Sequence, residues 1–334
     1  MYRALFSTLT LILSIVIFAP MSANAANEFP QGIVTLTFDD GWKSIFTNAK
    51  PILDEKNLKS TQYIYTDPVI LNPNNYAVDT YMTTQNVKDM EAAGHDIGAH
   101  SKTHVDLTTL SEPQLSAEIG GSRDDLISSG VISVSTYAYP YGAYCAPDEV
   151  VCTTDVRPNV IAAGFLGARG VFDGYNSTTA LTDSNEKYAL KIQHVTDTTS
   201  TSTIQGWIDT AVANKTWLIL MFHEVVDIFP TDCKGTGASG TETEECTTTA
   251  VLQSAVDYLA TNNVCVQTMS QVLTNTPCGS VVPPTNHAPT VANAIPDQDA
   301  IEDEPFSFSF AANTFSDEDG DTLSYSAPTL PSWL

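Results

Sequence analysis

Basic residues are scarce in this chain. Lys and Arg together number 14 against 39 Asp and Glu, a net charge of −25 over 334 residues. A chain so poor in cations has little with which to neutralise phosphates, which argues against nucleic acid and anionic membranes as partners. The same excess argues against polyanionic ligands in general. Long apolar runs are also few: beyond residues 4–18, no stretch is long and apolar enough to span a bilayer. No CxxC pair occurs, which argues against a zinc knuckle.

The first 26 residues read as an export signal. Arg3 gives a basic start, residues 4–18 an apolar run, and Ala23-Asn24-Ala25 a small-x-small cleavage site before Ala26. An uncleaved anchor is the competing reading, disfavoured by the short run. The expectation is a secreted protein, extracellular or periplasmic, with no stable membrane anchor after cleavage. Six cysteines, all beyond the signal, suit an oxidising compartment. Proximity pairs Cys145 with Cys152, Cys233 with Cys246 and Cys265 with Cys278.

Strand-like and helix-like segments alternate along the next 250 residues or so. Strands are expected at 33–38, 61–66, 95–100, 137–139, 165–168 and 217–222, helices at 45–56, 84–93, 110–129, 159–164, 203–214 and 247–262. Alternation of this kind implies parallel pairing, in a barrel or an open α/β sheet. A Gly/Thr/Glu-rich insertion at 227–249 fits either a substrate-facing lid or an ordinary surface loop. Residues 281–287 have linker composition. From 288 the style changes, with strict alternation in Phe306-Ser307-Phe308-Ser309-Phe310 and an acidic run, Asp317-Glu318-Asp319-Gly320-Asp321. That run offers alternate oxygens to Ca²⁺, or is an acidic solvated turn.

Chemistry concentrates at the ends of the expected strands. Thr37-Phe38-Asp39-Asp40-Gly41 closes the first, and His100-Ser101-Lys102-Thr103-His104 follows the third. Adjacent carboxylates repel each other and cost desolvation unless a cation or a hydrogen-bond network receives them. One Asp and two His make three ligands for a divalent metal and leave positions open to water, the pattern of a hydrolytic site. The other Asp is then spare as a general base. His95 and His194 match no motif and are expected to be structural. Trp42, Trp207 and Trp217 read as core, although Trp42 follows the acidic turn and is placed to reach a cleft.

These motifs resemble, in order, those of the polysaccharide deacetylases, the NodB-homology or carbohydrate esterase family 4 enzymes. Tyr139-Pro140-Tyr141-Gly142 resembles the third motif, Ala168-Arg169-Gly170 the region of the fourth and Leu220-Met221-Phe222-His223 the fifth. The resemblance implies an α/β fold, a distorted (β/α) barrel over residues 27–280, with the site at the strands' carboxyl ends. It implies Asp40, His100 and His104 as ligands of Zn²⁺, or of Co²⁺ or Ni²⁺. Asp39 becomes the general base and His223 the acid that protonates the leaving nitrogen. Pro140 and Tyr141 fall on the oxyanion side, with the Tyr141 backbone N–H as donor, and Met221 and Trp42 on the substrate side. The sequence departs from many members in having no arginine before Pro140-Tyr141-Gly142, where Thr136-Tyr137-Ala138-Tyr139 stand. Arg169 is expected to bring that charge to Asp39 from another strand. Residues 288–334 resemble part of a cadherin or immunoglobulin-like module, too short for a closed sandwich, and so an incomplete β-sandwich segment.

Hydrolysis of acetamido groups on an N-acetylglucosamine-containing glycan is the leading expectation, the partner being an acetylated polysaccharide or oligosaccharide of chitin, poly-N-acetylglucosamine or peptidoglycan type. O-deacetylation of acetylxylan and a non-catalytic glycan-binding or adhesion protein stand beside it. A phosphoesterase would need more cationic groups than Arg169 alone.

Overall fold

The run Ile33-Val34-Thr35-Leu36-Thr37-Phe38 is built from β-branched and large apolar residues, which fit a pleated, buried surface. In the computed structural model it forms a wholly buried strand, β1 (Ile33–Phe38). The structure describes residues 28–77, 79–147, 152–229, 233, 245–279, 290–295, 309, 311 and 313–316. Six parallel strands follow: β2 (Thr61–Ile64), β3 (Asp96–Ala99), β4 (Val134–Ala138), β5 (Gly167–Asp173), β6 (Leu190–His194) and β7 (Trp217–Phe222). Each pairs with the next, and β7 pairs with β1 from Ile33–Trp217 to Phe38–Phe222, which closes a barrel. The closure is distorted. β1 meets β2 only at Thr37 and Phe38, and a two-residue strand, β8 (Cys265–Val266), fills the space beside Ile33 and Val34.

Helices α1 (Lys50–Glu55), α2 (Thr84–Ala92), α3 (Glu112–Ser128), α4 (Arg157–Ala162), α5 (Thr201–Asn214), α6 (Thr249–Thr261) and α7 (Met269–Leu273) accompany the strands. Pro51 is tolerated because it lies in the first turn of α1, where its missing N–H would have no partner in the helix. Thr83 starts α2 with a reciprocal cap, its hydroxyl accepting the Asn86 amide while Asn86 Oδ1 accepts the Thr83 amide.

Alternation along the strands sorts the core into two sides. Val34, Leu36, Phe38, Leu218, Leu220 and Phe222 face outward and pack with Ile204, Ile208 and Ala211 of α5 and Leu252, Val256 and Leu259 of α6. Ile33, Trp217, Ile219, Met221, Tyr63, Ala138 and Ile192 form a separate cluster inside the barrel. Met269, Val272 and Leu273 of α7 join that inner cluster from the strands' amino ends. The Met269 amide donates to Thr61 Oγ1 and the Ser270 amide to Asp96 Oδ2, both at strand starts. Among the described residues, α7 plugs the amino end, and the carboxyl ends form the mouth.

Two strands depart from the sequence reading. Leu190-Lys191-Ile192-Gln193-His194 forms β6, and Cys265–Val266 is held as a strand by β1. β5 also runs on to Asp173, past the expected end at 168. The pairs Cys233–Cys246 and Cys265–Cys278 form as expected. Cys145 is disulfide-bonded, but the side chain of its expected partner, Cys152, lies outside the described residues. Residues 1–26, the linker 281–287, the alternating run at 306–308 and the acidic run 317–321 with its calcium expectation also lie outside them. Of the C-terminal module, Thr290–Val291 pairs antiparallel with Phe315–Ser316. Among the described residues, no helix is long and apolar enough to cross a membrane.

Candidate active site

The inward phase of the strands decides which side chains reach the open mouth. Thr37 continues to Asp39, Gly98 to His100, Ile192 to His194 and Met221 to His223, each two residues on and so on the same face. The turns that follow are sharp. Asp40, Ser101, His104 and Tyr141 all have left-handed backbones, with φ of 70°, 64°, 55° and 58°. Such conformations cost about 1–3 kcal/mol each in non-glycine residues and persist where their surroundings over-determine them. Their concentration in the three segments bearing the expected site marks a built constellation.

Asp39 is buried, 3% exposed, and its backbone amide donates to the Phe222 carbonyl at 2.9 Å. Arg169 of β5 is wholly buried and donates from Nη2 to Asp39 Oδ1. Its Nη1 donates to the Met221 sulfur at 3.2 Å, and the guanidinium lies 4.7 Å from the Tyr63 ring centroid. Ala138, opposite Arg169 in the register, leaves interior volume for that large head group. Burial pushes the Asp39 carboxyl up, but the charges of Arg169, His100 and His223 outweigh it and hold the group below the usual carboxylate range. The counter-charge missing from β4 is therefore supplied from β5.

Asp40 Oδ1 lies 3.5 Å from His100 Nε2 and 3.3 Å from His104 Nε2. Ligands about 2.0–2.1 Å from a tetrahedral ion are spaced about 3.3–3.4 Å apart, so these separations fit one zinc-sized ion. Oδ1 is buried and has no hydrogen-bond partner, an expensive state unless a cation receives it. His100 Nδ1 faces the Ala138 carbonyl oxygen at 2.8 Å, which fixes its proton there and leaves the Nε2 lone pair toward Asp40. Burial, aided by the charge of His100, lowers the His104 imidazole to about 4, so it is neutral near pH 7. Burial opposes protonation of His100 too, but the facing Asp40 carboxylate and the charge of Asp39 raise it above the ordinary value. Trp42 is 8% exposed and stacks on Tyr81, while its indole N–H donates to Asp40 Oδ2 at 3.0 Å. It reaches the cleft, and what it does there is orient a carboxylate.

His223 and Met221 stand where the sequence reading puts them, at the mouth and just beneath it. Both are buried, and His223 Nδ1 has no hydrogen-bond partner. Pro140 is buried. Tyr141 is 54% exposed, its hydroxyl donating to the His104 carbonyl at 3.1 Å and its ring 4.7 Å from that of His104. Tyr141 thus braces a metal-ligand candidate as well as overhanging the cleft.

Two neighbours were not expected. His194, read as structural, ends β6 with its ring 5.4 Å from that of His223, and burial lowers it to about 4. The period-two phase from Ile192 would have found it. Glu245 comes from the insertion after β7, and a carboxylate oxygen lies within 4.8 Å of ligand atoms of Asp40 and His223. No strand phase points to it, because a disulfide-closed excursion brings it back. His95, by contrast, is structural as expected, its Nδ1 2.9 Å from Ser60 Oγ and its Nε2 3.3 Å from Asp54.

Residues 26–151 match the family model for Polysaccharide deacetylase, and residues 288–334 that for Putative Ig domain. Chitin deacetylase 3 of Cryptococcus neoformans var. neoformans serotype D is 25% identical over 221 residues, covering 63% of this chain and 46% of that protein. A chitin deacetylase of Colletotrichum lindemuthianum is 32% identical over 81 residues, 24% of this chain and 30% of that one. The chain spans less than half the length of these curated relatives. Among solved structures, the Xyl-CE4 domain of a multidomain xylanase from the hindgut metagenome of Trinervitermes trinervoides is 19% identical, with a TM-score of 0.45 over 73% of this chain and 91% of that one.

Proposed function

The chain carries a polysaccharide deacetylase domain, and from that premise we propose that it is a secreted, metal-dependent polysaccharide N-deacetylase acting on an N-acetylglucosamine-containing glycan. The carrying observation is the convergence, at one barrel mouth, of an Asp39–Arg169 pair, the Asp40–His100–His104 set and His223. The domain boundaries 27–280, 281–287 and 288–334 belong to the same proposal.

Asp40, His100 and His104 would hold the ion, and one carboxylate with two imidazoles suits Zn²⁺ best. A divalent ion there supplies Lewis acidity and brings the pKa of water toward neutrality. Asp39, kept ionised by Arg169, takes the proton from the attacking water as general base. His223 carries a proton to the leaving nitrogen. The Tyr141 backbone N–H, on a turn fixed by its left-handed φ, donates to the oxygen that gains charge. Met221, packed on Arg169, gives the acetyl methyl an apolar wall. Trp42 and the Ala138 carbonyl orient Asp40 and His100 from behind. Disulfides in the described residues support an oxidising, extracellular or periplasmic setting.

The test is acetate release by the zinc-loaded protein from chitooligosaccharides, poly-β-1,6-N-acetylglucosamine, peptidoglycan and acetylxylan, with Asp39→Asn as the blank. Release from a glucosamine polymer, abolished by the substitution, supports the proposal. Release from acetylxylan alone makes the protein an esterase, and none from any substrate refutes a catalytic role.

A further inference from the structure

Glu245 is held at the mouth of the barrel by backbone on both sides. Its carbonyl accepts the Glu224 amide at 3.2 Å, one residue past His223, and the next residue, Cys246, is wholly buried and disulfide-bonded to Cys233. Cys246–Thr248 then runs parallel to Glu224–Val226 as a short ladder. The carboxylate oxygen so delivered, a ring nitrogen of His223 and a carboxylate oxygen of Asp40 all lie within 4.8 Å of one another. Asp40 and His223 are 7% and 8% exposed, and Asp40 Oδ1 and His223 Nδ1 have no hydrogen-bond partner.

We propose that Asp40, His223 and Glu245 form a second divalent-cation site, sharing Asp40 with the Asp40–His100–His104 set. Two carboxylates and an imidazole are ligands that Zn²⁺, Co²⁺ and Mn²⁺ accept. A carboxylate common to two sets is how paired ions sit about 3.5–4 Å apart. The two sites are unequal. The first offers two imidazoles, and an ion already bound there repels a second, so the site at Glu245 fills later. Its occupation has a chemical consequence that rests on the deacetylase reading. A His223 nitrogen committed to a metal cannot deliver a proton, so excess metal switches the enzyme off. Glu245 thereby has a task at the site, that of a metal-sensing ligand.

The metal-stripped full chain is titrated with zinc by calorimetry, and bound zinc is counted by mass spectrometry after desalting. Two equivalents are expected for the wild type, one for Glu245→Gln and neither tight event for Asp40→Asn. Glu245→Asp, which retracts the carboxylate but keeps its charge, should weaken the second event without touching the first. Acetate release should rise to one equivalent of zinc and fall as the second binds, and the fall should be lost in Glu245→Gln. A single equivalent in the wild type, or a second one unchanged in Glu245→Gln, overturns the site. A second equivalent that depends on Glu245, in a protein releasing no acetate, upholds the site and overturns the deacetylase reading instead.

Discussion

Replacing Arg169 by Met keeps much of the side-chain volume and removes the charge that faces Asp39. Both partners are withdrawn from solvent, Arg169 wholly and Asp39 to 3%, so no water compensates the carboxylate left behind. Breaking one side of a buried pair costs about 3–5 kcal/mol, mostly the penalty of the stranded charge. In a domain of this size that lowers the melting temperature by roughly 10 °C. The sign with pH follows from the native shift. Asp39 is held below its unfolded value of 3.8, so the pair's contribution is present above that value and fades as pH falls through the lowered one. Without Arg169, burial dominates and raises the group, so the deficit of Arg169→Met should shrink as the pH is brought down toward 4. Asp39→Asn in the Arg169→Met background should recover most of the loss, a coupling of about 2–3 kcal/mol. Urea unfolding of the four proteins in the cycle measures it. Activity supplies a second readout: a base with a raised pKa moves the acid limb of kcat/KM to higher pH, tenfold in rate for each unit below it. Strictly additive stability costs, with the acid limb unmoved, would refute the pairing and the role of Arg169 together.

Trp42→Phe keeps the stacking on Tyr81 and deletes the donor to Asp40 Oδ2; zinc affinity by calorimetry should fall about 10–100-fold with the fold intact. Zinc binding to the metal-free protein should strengthen by about one logarithmic unit per pH unit up to the raised value of His100, and His104, already neutral above about 4, should add nothing beyond it. A slope near two around pH 6–7 would contradict this order of deprotonation. Gly98→Ala would put a methyl 2.4 Å from the Tyr63 ring, costing about 1–3 kcal/mol by overpacking. Because that ring lies under Arg169, kcat should fall as well, with zinc stoichiometry unchanged.

The legible part of this molecule is the part with a period. Asp39, His100 and His223 each close or follow a segment that reads as a strand, and the motifs there single them out by their resemblance to a family's. Arg169 was legible only through the resemblance, which puts an arginine beside the base carboxylate and, with none before Pro140, leaves Arg169 at the end of another strand to supply that charge. β6 carries the same signal in Leu190-Lys191-Ile192-Gln193-His194, but a five-residue alternation with polar members competes poorly against longer apolar runs, so His194 was lost along with its strand. β8 has no local signal at all. Two residues become a strand only because β1 and β2 diverge and leave backbone donors and acceptors to be met.

Glu245 lies beyond any local reading, and the reason is topological. Its position depends on the disulfide between Cys233 and Cys246 and on the ladder that Cys246–Thr248 makes with the residues just after His223. Neither the return of that excursion nor the direction of its last side chain follows from composition. The barrel and the insertion thus contribute to the site in different ways. The barrel sets a rigid frame of alternating side chains in which Asp39, Asp40 and His223 are placed to within a hydrogen bond. The insertion adds one charge from outside the repeat, at a point where the frame already holds two unsatisfied atoms, Asp40 Oδ1 and His223 Nδ1. A carboxylate brought against Asp40 is repulsive by itself and becomes favourable when a cation lies between them.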